Sequence, residues 1–221
     1  MRELRHMTPG KKSAAPAPYH HGALRQALIE ATETLLAERG LEAFTLREAA
    51  RQVGVSPAAA LHHFGSAAGL LTEVAILGFD ELTRFLREGG AAGKTPTSRL
   101  HGKGLGYVRF ALTYPARFLL MFRKDKLTAE PRLEEAGRAA YRELEEGVRE
   151  YAGRRDGPLS ASDQALLMGA WSTVHGFAHL ALEGKLGDVR AEPETFMART
   201  LPEILQQLFP DRPSKTRPRA S

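Results

Sequence analysis

Residues 45–66 read TLREAARQVGVSPAAALHHFGS, and the fold of the chain is decided there. Thr45 and Glu48 stand at the spacing of a capping box, in which the threonine hydroxyl and the glutamate side chain each satisfy the other's backbone amide. The helix they open carries Leu46, Ala49, Ala50 and Val53 on one face. Gly54 follows, where the backbone needs a left-handed or otherwise tight turn. Ser56 is a second N-cap, and Pro57 takes the first helical position, where its missing N–H leaves no bond unmade. The second helix is short and ends near Phe64 and Gly65. Two short helices joined by a glycine turn form a helix-turn-helix, whose second helix has the dimensions to enter a DNA major groove.

With 221 residues the chain can bury a substantial core, as one larger domain or two smaller ones. Its apolar runs read as too short for a membrane span. Two basic residues open the chain with no apolar run behind them, which is not the pattern of a secretory signal. The absence of cysteine excludes disulfides and thiolate metal sites. The expectation is a cytoplasmic protein with no cofactor and no membrane partner. A formal charge of +5 and a pI of about 9.6 favour a polyanionic partner. Much of the excess sits at the ends, as Lys11 and Lys12 within residues 1–18, and as Arg212, Lys215, Arg217 and Arg219 within residues 211–221. Both segments are rich in Pro, Ser and Ala and read as disordered. They are solubilising tails, or the front one is an arm that tracks DNA phosphate or the minor groove.

Before the motif, Leu24, Ala27, Leu28, Ala31, Leu35 and Leu36 recur at helical spacing until Gly40. Leu41 and Phe44 then plug a core shared by three helices. After it, Ser66 caps a long helix that Gly89, Gly90 and Gly93 are expected to end. Leu100 to Thr113 reads as helix, Tyr114-Pro115 interrupts it, and Ala116 to Phe122 resumes. Gly102, Gly104 and Gly106 follow no strand and lack phosphate-loop spacing. Pro131 opens a charged amphipathic helix whose ionic residues are expected on a solvated face. Ser160 or Ser162 caps a weakly charged helix, Ala165 to Leu182, expected to be buried on more than one side. A last helix runs from Phe196 to Leu208. No strand-period segment or repeat is found, and the chain reads as all-α with about nine helices.

The motif resembles the DNA-binding domain of the TetR family of bacterial repressors, down to the alanines followed by His63-Phe64. Tyr19-His20-His21-Gly22 resembles the opening of one branch of that family. Tyr107-Val-Arg-Phe-Ala111, Pro115, Met121-Phe122 and Trp171-Ser-Thr-Val-His175-Gly176 are similar to the C-terminal domain of that branch, the one named for a WHG signature. The resemblance implies a three-helix DNA-binding domain over residues 19–66 and a larger helical ligand-binding and dimerisation domain over 67–210. It places Ser56, Pro57, Ala58, Ala59, Ala60, His62 and His63 near base edges and Thr45 at phosphate, with Arg47 a further DNA-binding candidate. His63 has the alternative of packing on the domain core. Where the family usually has a phosphate-binding tyrosine, this chain has Leu61; the next, commonly basic, position is His62, and a frequent lysine is Ala67. Alanines offer only apolar contact to thymine methyls, so direct readout falls largely to Ser56, His62 and His63. The expectation is modest affinity, partly restored by Lys11 and Lys12.

Regulatory domains of this kind hold a mostly apolar cavity. The candidate lining residues are Tyr107, Phe110 and Tyr114, then Phe118, Met121 and Phe122, then Tyr141, Met168, Trp171 and His175. His175 and His179 lie one helical turn apart, a spacing that can clamp a metal, but no carboxylate is at hand on that face for a third ligand. They are a metal pair, part of the pocket, or plain core. No Ser/His/Asp or Cys/His constellation is recognisable, and the chain reads as no enzyme. The resulting expectation is a ligand-responsive repressor that binds a palindromic double-stranded DNA operator as a homodimer through its last two helices. A small apolar or amphipathic organic effector releases it. The alternatives are a DNA-binding regulator with no effector, or a metal-binding helical protein built on His175 and His179.

Overall fold

The computed structural model describes residues 21–154, 156–187, 189 and 192–211. Lys11, Lys12, Tyr19, His20 and the basic residues from Arg212 onward lie outside them. Every regular element among the described residues is helical.

Three helices build the N-terminal unit: α1 (His21–Arg39), α2 (Leu46–Val53) and α3 (Pro57–Phe64). Leu28 and Ile29 of α1, Ala49 and Ala50 of α2 and Ala60 of α3 are buried against one another and against Leu70 of the next helix. Leu41 and Phe44, in and just after a 3-10 turn, are packed on the same core. Thr45 caps α2 by accepting from the Glu48 amide at 3.2 Å. The reciprocal half of the expected box is missing. The Glu48 carboxylate is taken instead by Arg51 Nη2 at 2.7 Å and Arg39 Nη1 at 3.2 Å, stronger donors than a backbone amide. Gly54 turns with φ +78° in the left-handed region, and Ser56 caps α3 by accepting from the Ala59 amide at 3.2 Å.

A long helix, α4 (Ala67–Ala91), leaves this unit and becomes a wall of the second, built with α5 (Pro96–Thr113), α6 (Pro115–Met121), α7 (Pro131–Tyr151) and α8 (Ala161–Leu182). The chain closes with α9 (Pro193–Thr195), a π turn (Phe196–Thr200) and α10 (Leu201–Leu208). The sequence pattern predicts one continuous last helix, and the structure divides it. Pro202 has no N–H for an i−4 bond, and the ladder widens immediately before it.

Helix α4 ends at Ala91, inside the Gly89–Gly93 stretch expected to stop it, with Gly89 and Gly90 themselves still helical. Tertiary packing keeps them helical. A Cβ on Gly102 would sit 2.1 Å from the Gly89 carbonyl oxygen, and one on Gly106 would sit 2.3 Å from that of Phe85. The glycines of α5 therefore let its backbone lie directly on α4. Helix α5 also starts earlier than expected, because Thr95 and Ser98 form a full capping box with Pro96 at the first helical position.

Helix α8 departs from two expectations. Its length and mean hydropathy are those of a membrane span, contrary to the reading that no apolar run approaches one. Nor is it buried on several sides. Leu167, Ala170, Val174, Ala178 and Ala181 form one buried stripe, while Met168 (50 % exposed) and Leu180 (42 %) face outward. A period-3.6 helix whose two faces are both apolar looks core-like in sequence whether the second face meets its own chain or not.

Candidate functional site

The first site is the outer surface of α2 and α3. Thr45, Arg47, Ser56, Pro57, Ala58 and His62 are exposed, and Ala59 and His63 are half-buried. The Ser56 oxygen is committed to capping, but its hydroxyl proton remains free to donate to a phosphate or base. Ala60 requires correction: it has no exposed surface, because three residues after Pro57 the helix has turned into the core. It shapes the fit of α3 on α1 and touches no base. The His62 and His63 rings meet edge to face at 5.8 Å, and Leu61, 45 % exposed, shares their surface.

Behind this surface, ion pairs fasten the N-terminal unit to the second one. Glu73 of α4 takes Arg25 of α1 at 2.5 Å and Arg132 of α7 at 2.6 Å. Burial raises the Glu73 carboxyl, and the two guanidiniums outweigh that and hold it below its ordinary value. Glu33 of α1 pairs with Arg117 of α6. Arg123 and Lys126, in the turn after α6, both reach Glu42. None of these pairings is local in sequence, so periodicity carries no sign of them.

The second site is a cavity of about 240 Å³ enclosed by α4, α5, α7 and α8, with α6 and α10 closing it. Five of the ten expected residues line it: Tyr107, Met121, Phe122, Tyr141 and Trp171. His175 stands behind them, its Nδ1 2.7 Å from the Tyr107 hydroxyl and its ring 4.7 Å from that of Phe122. The other four expected residues are not on the wall. Phe110 and Phe118 are fully buried in the layer behind it, and Phe118 stacks on Tyr107, His175 and His179. Tyr114 sits at the α5–α6 break with Arg117 over its ring. Met168 points away from the cavity on the outer face of α8.

The sequence reading misses much of the wall: Phe79, Leu82 and Leu86 of α4, Leu144 of α7, and Leu205 and Phe209 near the end. It also misses the one buried ion pair found there among the described residues. Lys103 lines the cavity and donates to Glu143 Oε2 at 2.6 Å, with both side chains at least nine-tenths buried, while Arg87 holds Glu143 Oε1 at 2.5 Å. The α7 charges are expected to be solvated, and Glu143 is not, because it falls on the Ala136–Ala140–Gly147 stripe. A signal existed. A lysine on the apolar stripe of α5 and a glutamate on that of α7 are opposite charges at core positions.

Burial pushes the Tyr107 phenol up. It also lowers His175, with a smaller push from His179, which favours the neutral ring. The 4.7 Å approach of the two imidazoles comes with Phe118 packed on both, not with a carboxylate. Among the described residues no group of three His, Cys, Asp or Glu side chains is placed to hold a metal.

Residues 28–74 match the family model of tetR-family bacterial regulatory proteins, and residues 100–204 match that of the tetracyclin repressor-like C-terminal domain. The chain belongs to the TetR family. Its two units are thus the DNA-binding and C-terminal parts of a TetR-family transcription regulator. Among solved structures, a Rhodococcus sp. RHA1 protein of unknown function is 28 % identical, with a TM-score of 0.72 over 88 % of this chain and 97 % of its own. A tetR-family regulatory protein from Rhodococcus RHA1 gives a TM-score of 0.66 at 17 % identity, over 86 % of this chain and 98 % of its own. PfmR, a TetR family regulator from Thermus thermophilus, gives 0.52 at 21 % identity over 69 % and 95 %. Comparison with curated proteins yields no match. Helices α2 and α3 fall within the residues that match the first model, and most of the cavity wall falls within those that match the second.

Proposed function

We propose that the chain is a ligand-responsive repressor whose dimer grips a palindromic operator and lets go when a small apolar molecule fills the cavity. The observation that carries this reading is the position of α6. Met121 lines the cavity and lies against Gly78 of α4, while Arg117, one helical turn earlier, is paired with Glu33 of the reading unit. An occupant that displaces α6 therefore acts on α1 and on α4 together. Interiors are close-packed, so such a displacement is passed on and not absorbed.

The two outward apolar positions of α8, Met168 and Leu180, with Leu208 of α10, suit a two-fold helical interface with a second copy. Such a dimer sets two α3 helices about one DNA turn apart, roughly 34 Å, and reads inverted half-sites. Lys11 and Lys12 supplement its phosphate contacts.

Linkage gives the test, because an effector that weakens DNA binding must itself be weakened by DNA through the same factor. Trp171 is the single tryptophan and lines the cavity, so its fluorescence reports occupancy. Titration with decanol, alone and then with the duplex upstream of the encoding gene, is expected to show weaker decanol binding in the presence of DNA. Identical titrations would show that occupancy of the cavity is not coupled to DNA and would overturn the release by ligand.

A further inference from the structure

The buried and half-buried polar side chains on the cavity wall, Lys103, His101 and Tyr107, already have partners inside the protein, and Tyr141, 40 % exposed, keeps access to water. Lys103 passes between Gly90 and Gly147, where an added Cβ would meet its chain at 3.1 and 3.0 Å, to reach Glu143. His101 Nε2 lies 2.8 Å from the Phe209 carbonyl oxygen. The Tyr107 hydroxyl is engaged with His175. Lys124 is exposed and stands where the cavity meets solvent, and water screens it there. Among the described residues no Asp or Glu lines the cavity.

We propose that the cavity selects an uncharged apolar molecule, and that Glu143 enforces this selection by neutralising Lys103. The inference rests on the reading of the cavity as an effector site. A bound carboxylate would be buried beside a lysine whose charge is already balanced, or would displace Glu143 and strand a buried acid. A bound ammonium would find no acid on the wall. An alkyl or aromatic surface asks for nothing in return and gains by leaving water. The volume, below the roughly 300–1,000 Å³ of pockets for drug-sized ligands, keeps that molecule small.

Calorimetric titration of the full chain with decanol, decanoate and decylamine at about pH 7, where the acid and the amine are ionised, tests this. Decanol is expected to bind at least about tenfold more tightly than either ion. Inside the cavity each ion loses its hydration, while Lys124, the one lining cation without a partner among the described residues, stays screened by water at the mouth. In Glu143→Gln, Lys103 is left uncompensated, and decanoate affinity is expected to rise about tenfold while decanol affinity holds. Equal or tighter binding of decanoate or decylamine by the unaltered chain overturns the selection. A folded Glu143→Gln that keeps the original ranking overturns the part given to Glu143. If that variant does not fold, Glu143→Asp, one methylene shorter and so set back from Lys103, is read in its place: a smaller rise in decanoate affinity is expected, and an unchanged ranking overturns the part given to Glu143. Binding of none of the three contradicts the effector reading beneath it, an outcome distinct from binding in the wrong order.

Discussion

Single residues in this chain divide by whether their environment is local. Thr45, Gly54, Ser56 and Pro57 act on amides and carbonyls within a few positions, and each does what its type at that position dictates. Ala60 is no base-reader because its face depends on the docking of α3 on α1, which no short window contains. His175 is a further case. Its sequence neighbours suggest a metal pair, whereas its surroundings are Tyr107, Phe118 and Phe122. Burial lowers its pKa from the ordinary 6.5. The unfolded chain therefore takes up a proton as pH falls through about 6.5, and the folded ring takes it up only at a lower pH. Stability is full above that pH and declines below it. The urea midpoint of the unaltered chain is expected to drop more between about pH 7.5 and pH 5.5 than that of His175→Gln. Parallel drops would show that the ring does not titrate differently on folding.

At the scale of elements, helix existence is legible nearly throughout, since caps and prolines mark most starts, such as Ser66, Pro131 and Ser160, while the Thr95 cap of α5 goes unread. Helix ends are less so. Gly89-Gly90 reads as a stop because glycine lowers helix propensity, by about 1 kcal/mol relative to alanine. Direct apposition of the α4 and α5 backbones overrides that local penalty, and only the partner helix reveals it. Gly102→Ala drives a methyl to 2.1 Å from the Gly89 carbonyl and is expected to lose about 2 kcal/mol or more in denaturant unfolding. Gly22→Ala, in α1 with nothing near the added carbon, is expected to be neutral or stabilising by up to about 1 kcal/mol. Equal effects at both positions would mean that the α4–α5 crossing tolerates separation.

The whole molecule adds what neither residues nor elements contain. The ion pairs Glu73–Arg25, Glu73–Arg132 and Glu33–Arg117 tie the reading unit to the body across long sequence separations. The cavity wall draws on six helices, which is why only five of the ten residues picked by type line it, with His175 just behind and Phe110, Phe118, Tyr114 and Met168 elsewhere. The outward face of α8 belongs to this scale too. Met168→Glu places a charge in the proposed dimer interface and is expected to yield monomers in sedimentation, with DNA affinity lost alongside. A dimer that survives the substitution would move the interface to another face.

The central claim is met most directly by fluorescence anisotropy of a labelled duplex taken from upstream of the encoding gene. It is run beside a scrambled duplex at about 50 and 200 mM salt, where phosphate contacts declare themselves, and repeated with saturating decanol. The account predicts tight, salt-sensitive binding to the upstream duplex alone, and its loss on adding decanol. Equal binding to both duplexes, or a specific complex that decanol leaves intact, would contradict it.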